Sequence, residues 1–252
     1  LPSSFVFDIA YVGNKSKDLL GLRQINAVPY GATYLTGNQD PTRAAGVLGT
    51  TALPNDLLRP YQGYGNINMW GIYGISNYNA LQTAVSRRFD NGLMLGVTYT
   101  FSKTLGTGVA DYSGMRIDGK DRDYNYGILS TDQPHNLVTN FVYQTPKIAK
   151  GALGVLANGW QISGVFRYAS GYPYAVNVGF KDGTGNNYLT GSEQGARVVV
   201  VGDPGSGWSD DPYKQVNQNA FAPPQSGSLG IESSAFFVRT APLQNLDLSL
   251  AK

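Results

Sequence analysis

Few residues in this chain could do chemistry. Its single histidine, His135, follows Pro134, and Asp132 is the nearest carboxylate in sequence. A histidine with an orienting carboxylate is the usual core of general acid–base catalysis, but it needs a nucleophile or a substrate proton to act on. No Cys is present, which removes thiolate nucleophiles, Cys-based zinc sites and disulfides. No Gly-x-Ser-x-Gly elbow occurs, and the Gly-rich stretch 202–207 lacks the Gly-Lys-Ser/Thr ending of a phosphate loop. His135 therefore reads as a structural residue where a loop becomes a strand. Asp121, Asp123 and Asn125 alternate as hard oxygen ligands do at the start of a calcium loop, with Asp111 and Asp118 ahead of them. The glycine and closing Glu of that motif are missing, and an acidic loop is more often merely solvated. The 181–187 run, Lys-Asp-Gly-Thr-Gly-Asn-Asn, reads as a turn. The expectation is no enzyme, and no catalytic, cofactor or metal site.

The elements that carry these residues are strands. The 252 residues include 17 Tyr, 10 Phe and 3 Trp, and their apolar positions recur mostly at period two. In 93–102, Leu93, Leu95, Val97, Tyr99 and Phe101 alternate with Met94, Gly96, Thr98, Thr100 and Ser102. Upstream, 78–89 is a second strand, and Asp90-Asn91-Gly92 supplies the tight turn between them. Residues 71–75 extend that strand backwards. Further strands are predicted at 135–145, 160–168 and 243–252. Two more are predicted at 4–12 and 18–26, separated by a turn at Gly13-Asn14-Lys15-Ser16. The fold class is all-β, with about seven strands.

Charged residues make up 14% of the chain, and 19 Lys plus Arg against 17 Asp plus Glu leave a net charge of +2. No basic field exists for a phosphate backbone, so no nucleic-acid partner is expected. The sequence also has no apolar run of about 18 residues and no charged-then-apolar leader. Connections alternate between short (Lys15, Asn91, 147–158) and long (27–65, 106–134, 171–242). Long structureless loops are rare in compact soluble domains. Short turns on one rim and long loops on the other are the pattern of an outer-membrane β-barrel. Residues 93–101 extend about 30 Å, which at a tilt near 40° spans about 23 Å, close to the apolar band of such barrels. Low charge then has a cause, since the lipid-facing half of each strand cannot carry ions cheaply. Aromatics at strand ends (Phe89, Tyr99, Tyr143, Trp160, Tyr168) suit an interfacial girdle.

In that arrangement Arg88, Arg167, Gln82, Gln161, Asn140 and Gln144 fall on the lumen side, where they would contact an internal domain or a substrate, or only hydrate the interior. Tyr30, Tyr34, Tyr61, Tyr64, Tyr112, Tyr124, Tyr126, Tyr172 and Tyr174 lie in the long connections. They offer amphipathic rings to a ligand, or pack the loops together.

Several motifs carry a family resemblance. They are Arg59-Pro60-Tyr61-Gln62-Gly63-Tyr64-Gly65-Asn66-Ile67, Ser76-Asn77-Tyr78-Asn79-Ala80-Leu81-Gln82 and Arg87-Arg88-Phe89-Asp90-Asn91-Gly92-Leu93. Tyr99-Thr100-Phe101-Ser102-Lys103, Asp132-Gln133-Pro134-His135-Asn136, Asn158-Gly159-Trp160-Gln161-Ile162-Ser163-Gly164 and Ser170-Gly171-Tyr172-Pro173 follow in order. Together they resemble the barrel of TonB-dependent outer-membrane receptors of the Oar-like type. The resemblance implies a barrel of about 22 strands around a plug, energised through a TonB partner and placed in the outer membrane of a Gram-negative bacterium. Residues 1–252 then read as a partial receptor barrel, an antiparallel transmembrane segment with long extracellular loops, lacking the plug, an N-terminal domain and the last strands. The implied partners are outer-membrane lipid, the plug and TonB complex of the full-length protein, and an unidentified small-molecule, peptide or carbohydrate ligand. The alternative is a soluble secreted adhesin or carbohydrate-binding protein, whose apolar stripe would be buried under a second sheet.

Overall fold

The computed structural model describes residues 5–44, 46, 50–90, 92–107, 114–115, 125–176, 189–193, 196–209, 211, 213–225 and 238–252. Among them the chain forms β1 (Phe5–Gln24), β2 (Asn68–Asp90), β3 (Leu93–Gly106), β4 (Gly114–Met115), β5 (Gly127–Ile128) and β6 (His135–Gln144). Then come β7 (Gln161–Ala169), β8 (Pro173–Tyr174), β9 (Val199–Val200), β10 (Phe221–Ala222), β11 (Val238–Arg239) and β12 (Leu243–Ala251). The long strands make an antiparallel meander in the order β12-β7-β6-β3-β2-β1, each beside its neighbour in sequence. Between β2 and β3, Gly92 takes a positive φ of 80°, as the predicted turn requires.

Register sorts the side chains. One row across the sheet reads Phe7, Val85, Val97, Thr139, Phe166, Leu246, and the next reads Asp8, Ala84, Thr98, Val138, Arg167, Asn245. Successive rows lie on opposite faces, so the first belongs to an apolar face and the second to a polar one. A slip of one residue in any pair would exchange the two, which is why alternation this regular specifies register. The apolar face is bare: Ile9 is 62% exposed and Leu248 63%. Of the fully buried apolar side chains described, only Ala80 lies on a long strand, while Val28, Ala32, Ala52 and Leu58 cluster within the first long connection. A soluble sandwich would bury the face that is open here, and no described segment packs over it.

The predicted strands 4–12 and 18–26 are one strand, which corrects both the turn and the strand number. Gly13, Asn14, Lys15 and Ser16 pair in register with Asn79, Tyr78, Asn77 and Ser76. Gly13 is a notch for an aromatic ring: a Cβ there would lie 2.9 Å from the Tyr11 hydroxyl, which donates to Asn79 Oδ1 at 2.5 Å. Sequence shows the glycine but not the ring above it. The irregularity falls later, between Ser16 and Leu19, where Asp18 adopts φ 56° and the ladder shifts. Merging the two strands leaves the alternation of short and long connections intact.

Candidate ligand-facing site beneath the long loops

The long connections meet on one rim of the sheet, and two arginines tie them down. Asn26, fully buried just past β1, sends its amide to the carbonyls of Tyr61, Tyr64 and Gly65 and accepts from the Tyr61 N–H at 2.7 Å. The Arg59-to-Ile67 motif is thus wound around one side chain, which satisfies backbone groups that a loop otherwise leaves orphaned. Arg59 itself forms a two-pronged pair with Glu193, at 2.7 and 3.0 Å, and donates to the Asn26 carbonyl at 2.6 Å. Its side chain is 8% exposed and that of Glu193 17%. Ser192 Oγ donates to the Val28 carbonyl at 2.6 Å, and the Thr33 N–H reaches the Gly191 carbonyl. The first and last long connections therefore fold as one body. At its margin the Asp40 carboxyl is held below its ordinary pKa because the Thr42 hydroxyl and N–H both donate to it.

The second arginine locks the rim. Asp132 is 1% exposed; it accepts the Thr104 N–H at 2.6 Å and pairs with Arg239 at 2.5 Å. Arg239 also donates to the carbonyls of Asp132 and Gly171. Gln133 donates to the Ser170 carbonyl, and Ser170 Oγ accepts from the His135 N–H. His135 turns the other way, 2.7 Å from the Tyr99 hydroxyl and against Phe101. The structure thus separates the histidine from the carboxylate that sequence placed beside it.

Below this rim, on the polar face, lies a concavity of about 590 Å³ lined by Gln133, Asn136, Val138, Arg167, Tyr172 and Leu243, among others. Arg167 is exposed and forms no ion pair among the described residues; Asp247, two rows away on the same face, accepts instead from Asn245 at 2.9 Å. Gln82, Asn140, Gln144 and Gln161 occupy the same face, as predicted. Tyr61, Tyr64, Tyr126 and Tyr172 are exposed, whereas Tyr30, Tyr34 and Tyr174 are half-buried. The Arg88 side chain, Asp111, Tyr112, Asp118, Asp121, Asp123, Tyr124 and segment 181–187 lie outside the described residues. Asn125 is described, and no group of three potential metal-binding side chains occurs among the described residues. Sequence reasoning missed Glu193 and Arg239, whose partners are far along the chain and leave no local signal.

The opposite face marks its own limits. Arg87 lies over the Phe5 ring and Lys252 over the Trp160 ring near the short-turn rim. The next outward-facing cation on the paired strands is Lys103, opposite Asn79. From Arg87 to Asn79 is about 26 Å along β2, or about 20 Å of height at 40° tilt. Uncharged, mostly apolar residues fill that interval on a face no described segment covers, which matches an outer-membrane hydrocarbon layer. No curated protein and no solved structure matches the chain. A model of the outer membrane beta barrel domain matches residues 1–252, and the chain accordingly belongs to that family and to the bacterial outer membrane.

Proposed function

We propose that this chain is part of the barrel of a TonB-dependent receptor that captures an extracellular compound and passes it inward at the expense of TonB-delivered energy. The observation that carries the reading is the set of interlocked long loops on the rim beside an exposed polar face bearing Arg167. Such a rim suits a gated receptor with a selective mouth better than an open diffusion pore. The ordered motifs support it, because Asp132-to-Asn136 and Ser170-to-Pro173 form the rim lock and Arg59-to-Ile67 the loop clamp. In the full-length protein the polar face would meet an internal plug, and the partners would be that plug, outer-membrane lipid and the TonB complex. The ligand is a small molecule, peptide or carbohydrate, and no catalysis is assigned.

Two measurements on the full-length protein test this. Immobilised periplasmic TonB domain should retain the detergent-purified protein, and planar bilayers containing it should show no standing conductance. Steady open-pore current without TonB retention would overturn the proposal.

A further inference from the structure

On the outward face, just above the apolar belt, the bulge in β1 makes a concavity of about 320 Å³. Lys15, Ser16, Lys17 and Asp18 line it from β1, Ser76 and Asn77 from β2, with Ile75 and Tyr126 as its apolar walls. Lys15 and Asn77 continue the rows that run below as Gly13, Asn79 and Lys103, then Tyr11, Leu81 and Phe101. Those last three side chains are exposed on the apolar face. Lys15 stands about 13 Å along the strand from Tyr11, or about 10 Å of height at 40° tilt. The lysines therefore sit past the hydrocarbon, at the depth of lipid headgroups on the long-loop side. Both lysines are exposed, and no ion pair holds either one among the described residues. Asp18 contributes one negative charge to the rim, so this segment keeps a net positive charge.

We infer that this concavity binds the phosphorylated headgroup of an outer-leaflet glycolipid, with Lys15 and Lys17 on the phosphate, and Asn77 as a neutral donor. A lipid is the occupant because the site opens on the same face as the apolar stripe and lies directly above it. A headgroup held there leaves its acyl chains against Tyr11, Leu81 and Phe101. A soluble anion would gain only the charge, in competition with water. The positive-φ bulge at Asp18 has a purpose in this reading, since it breaks the ladder where the pocket is needed. The inference rests on outer-membrane placement and not on the uptake mechanism.

The test uses the full-length protein in detergent, mixed with bis-phosphorylated lipid A or its dephosphorylated form, with bound lipid read by native mass spectrometry. The phosphorylated lipid should be retained, and dephosphorylation should reduce retention. Each of Lys15→Ala and Lys17→Ala should weaken it about fivefold. Lys15→Arg with Lys17→Arg should preserve it, and Lys147→Ala, near the short turns, should leave it unchanged. Equal retention of both lipids, or equal retention by the alanine variants, would overturn the assignment. So would inorganic phosphate binding as tightly as the lipid. The dephosphorylated arm uses unaltered protein and decides the matter even where a variant fails to insert.

Discussion

Single residues set the rim. Gly171 lies so close to β11's end that a Cβ would stand 1.7 Å from the Thr240 carbonyl oxygen. Gly171→Ala should force those two segments apart at a cost of about 1 to 3 kcal/mol. Trypsin cleavage after Arg239 in the folded protein measures it, and cleavage should accelerate. Asp132→Ala removes the acceptor for Arg239 and the Thr104 N–H together. Breaking a fully buried pair costs about 3 to 5 kcal/mol; Arg239 keeps 30% exposure, so about 2 kcal/mol is expected after solvent screening. A lower urea midpoint for the full-length variant in micelles checks this. Asp132 also shows where sequence reading stops. Its ion-pair partner is Arg239, a residue 107 positions away, and nothing local distinguishes it from a solvated loop aspartate or a partner of His135.

At the scale of elements, the strands were legible because alternation is local. Five of the predicted strands reappear within a few residues of their expected ends, and the Asp90-to-Gly92 turn sits where the dipeptide chemistry put it. The error at Gly13 arose from the same local reasoning. Glycine and asparagine mark turns only when no neighbouring ring fills the notch, and Tyr11 fills it. The polar and apolar faces make opposite predictions for one substitution. Val97→Arg on the apolar face, one outward row short of the middle of the belt, should cost about 2 to 4 kcal/mol. Thr98→Arg, on the polar face of the same strand, should stay within about 0.5 kcal/mol, as surface changes do. Paired unfolding titrations in micelles separate them, and equal losses would contradict the assignment of faces.

At the scale of the whole molecule, the buried apolar residues among those described lie almost entirely in the loops while the sheet shows its large side chains outward. That inversion is the reverse of a water-soluble domain and follows once hydrocarbon is the solvent of one face. The sequence contains no cysteine, so this segment accepts spin labels at chosen sites. Nitroxides at Phe7→Cys and Leu246→Cys should be relaxed by oxygen, which concentrates in lipid, and those at Asp8→Cys and Asn245→Cys by a water-soluble nickel chelate. The reversed pattern would place the membrane on the wrong side. The loops were only partly legible: their lengths and composition could be read, but not that Arg59 and Glu193 would join them, because that contact spans 134 positions.

One consequence follows from the two margins of the meander. β12 and the lower part of β1 are its edges, with no strand beyond either among the described residues. Within oil each bare amide or carbonyl is penalised by several kcal/mol, since no water can take the vacant bond. These strands cannot settle into a bilayer one at a time. Both margins must gain hydrogen-bonding partners as the sheet inserts, so the polar backbone at the margins, more than the greasy side chains, dictates when this sheet can enter its membrane.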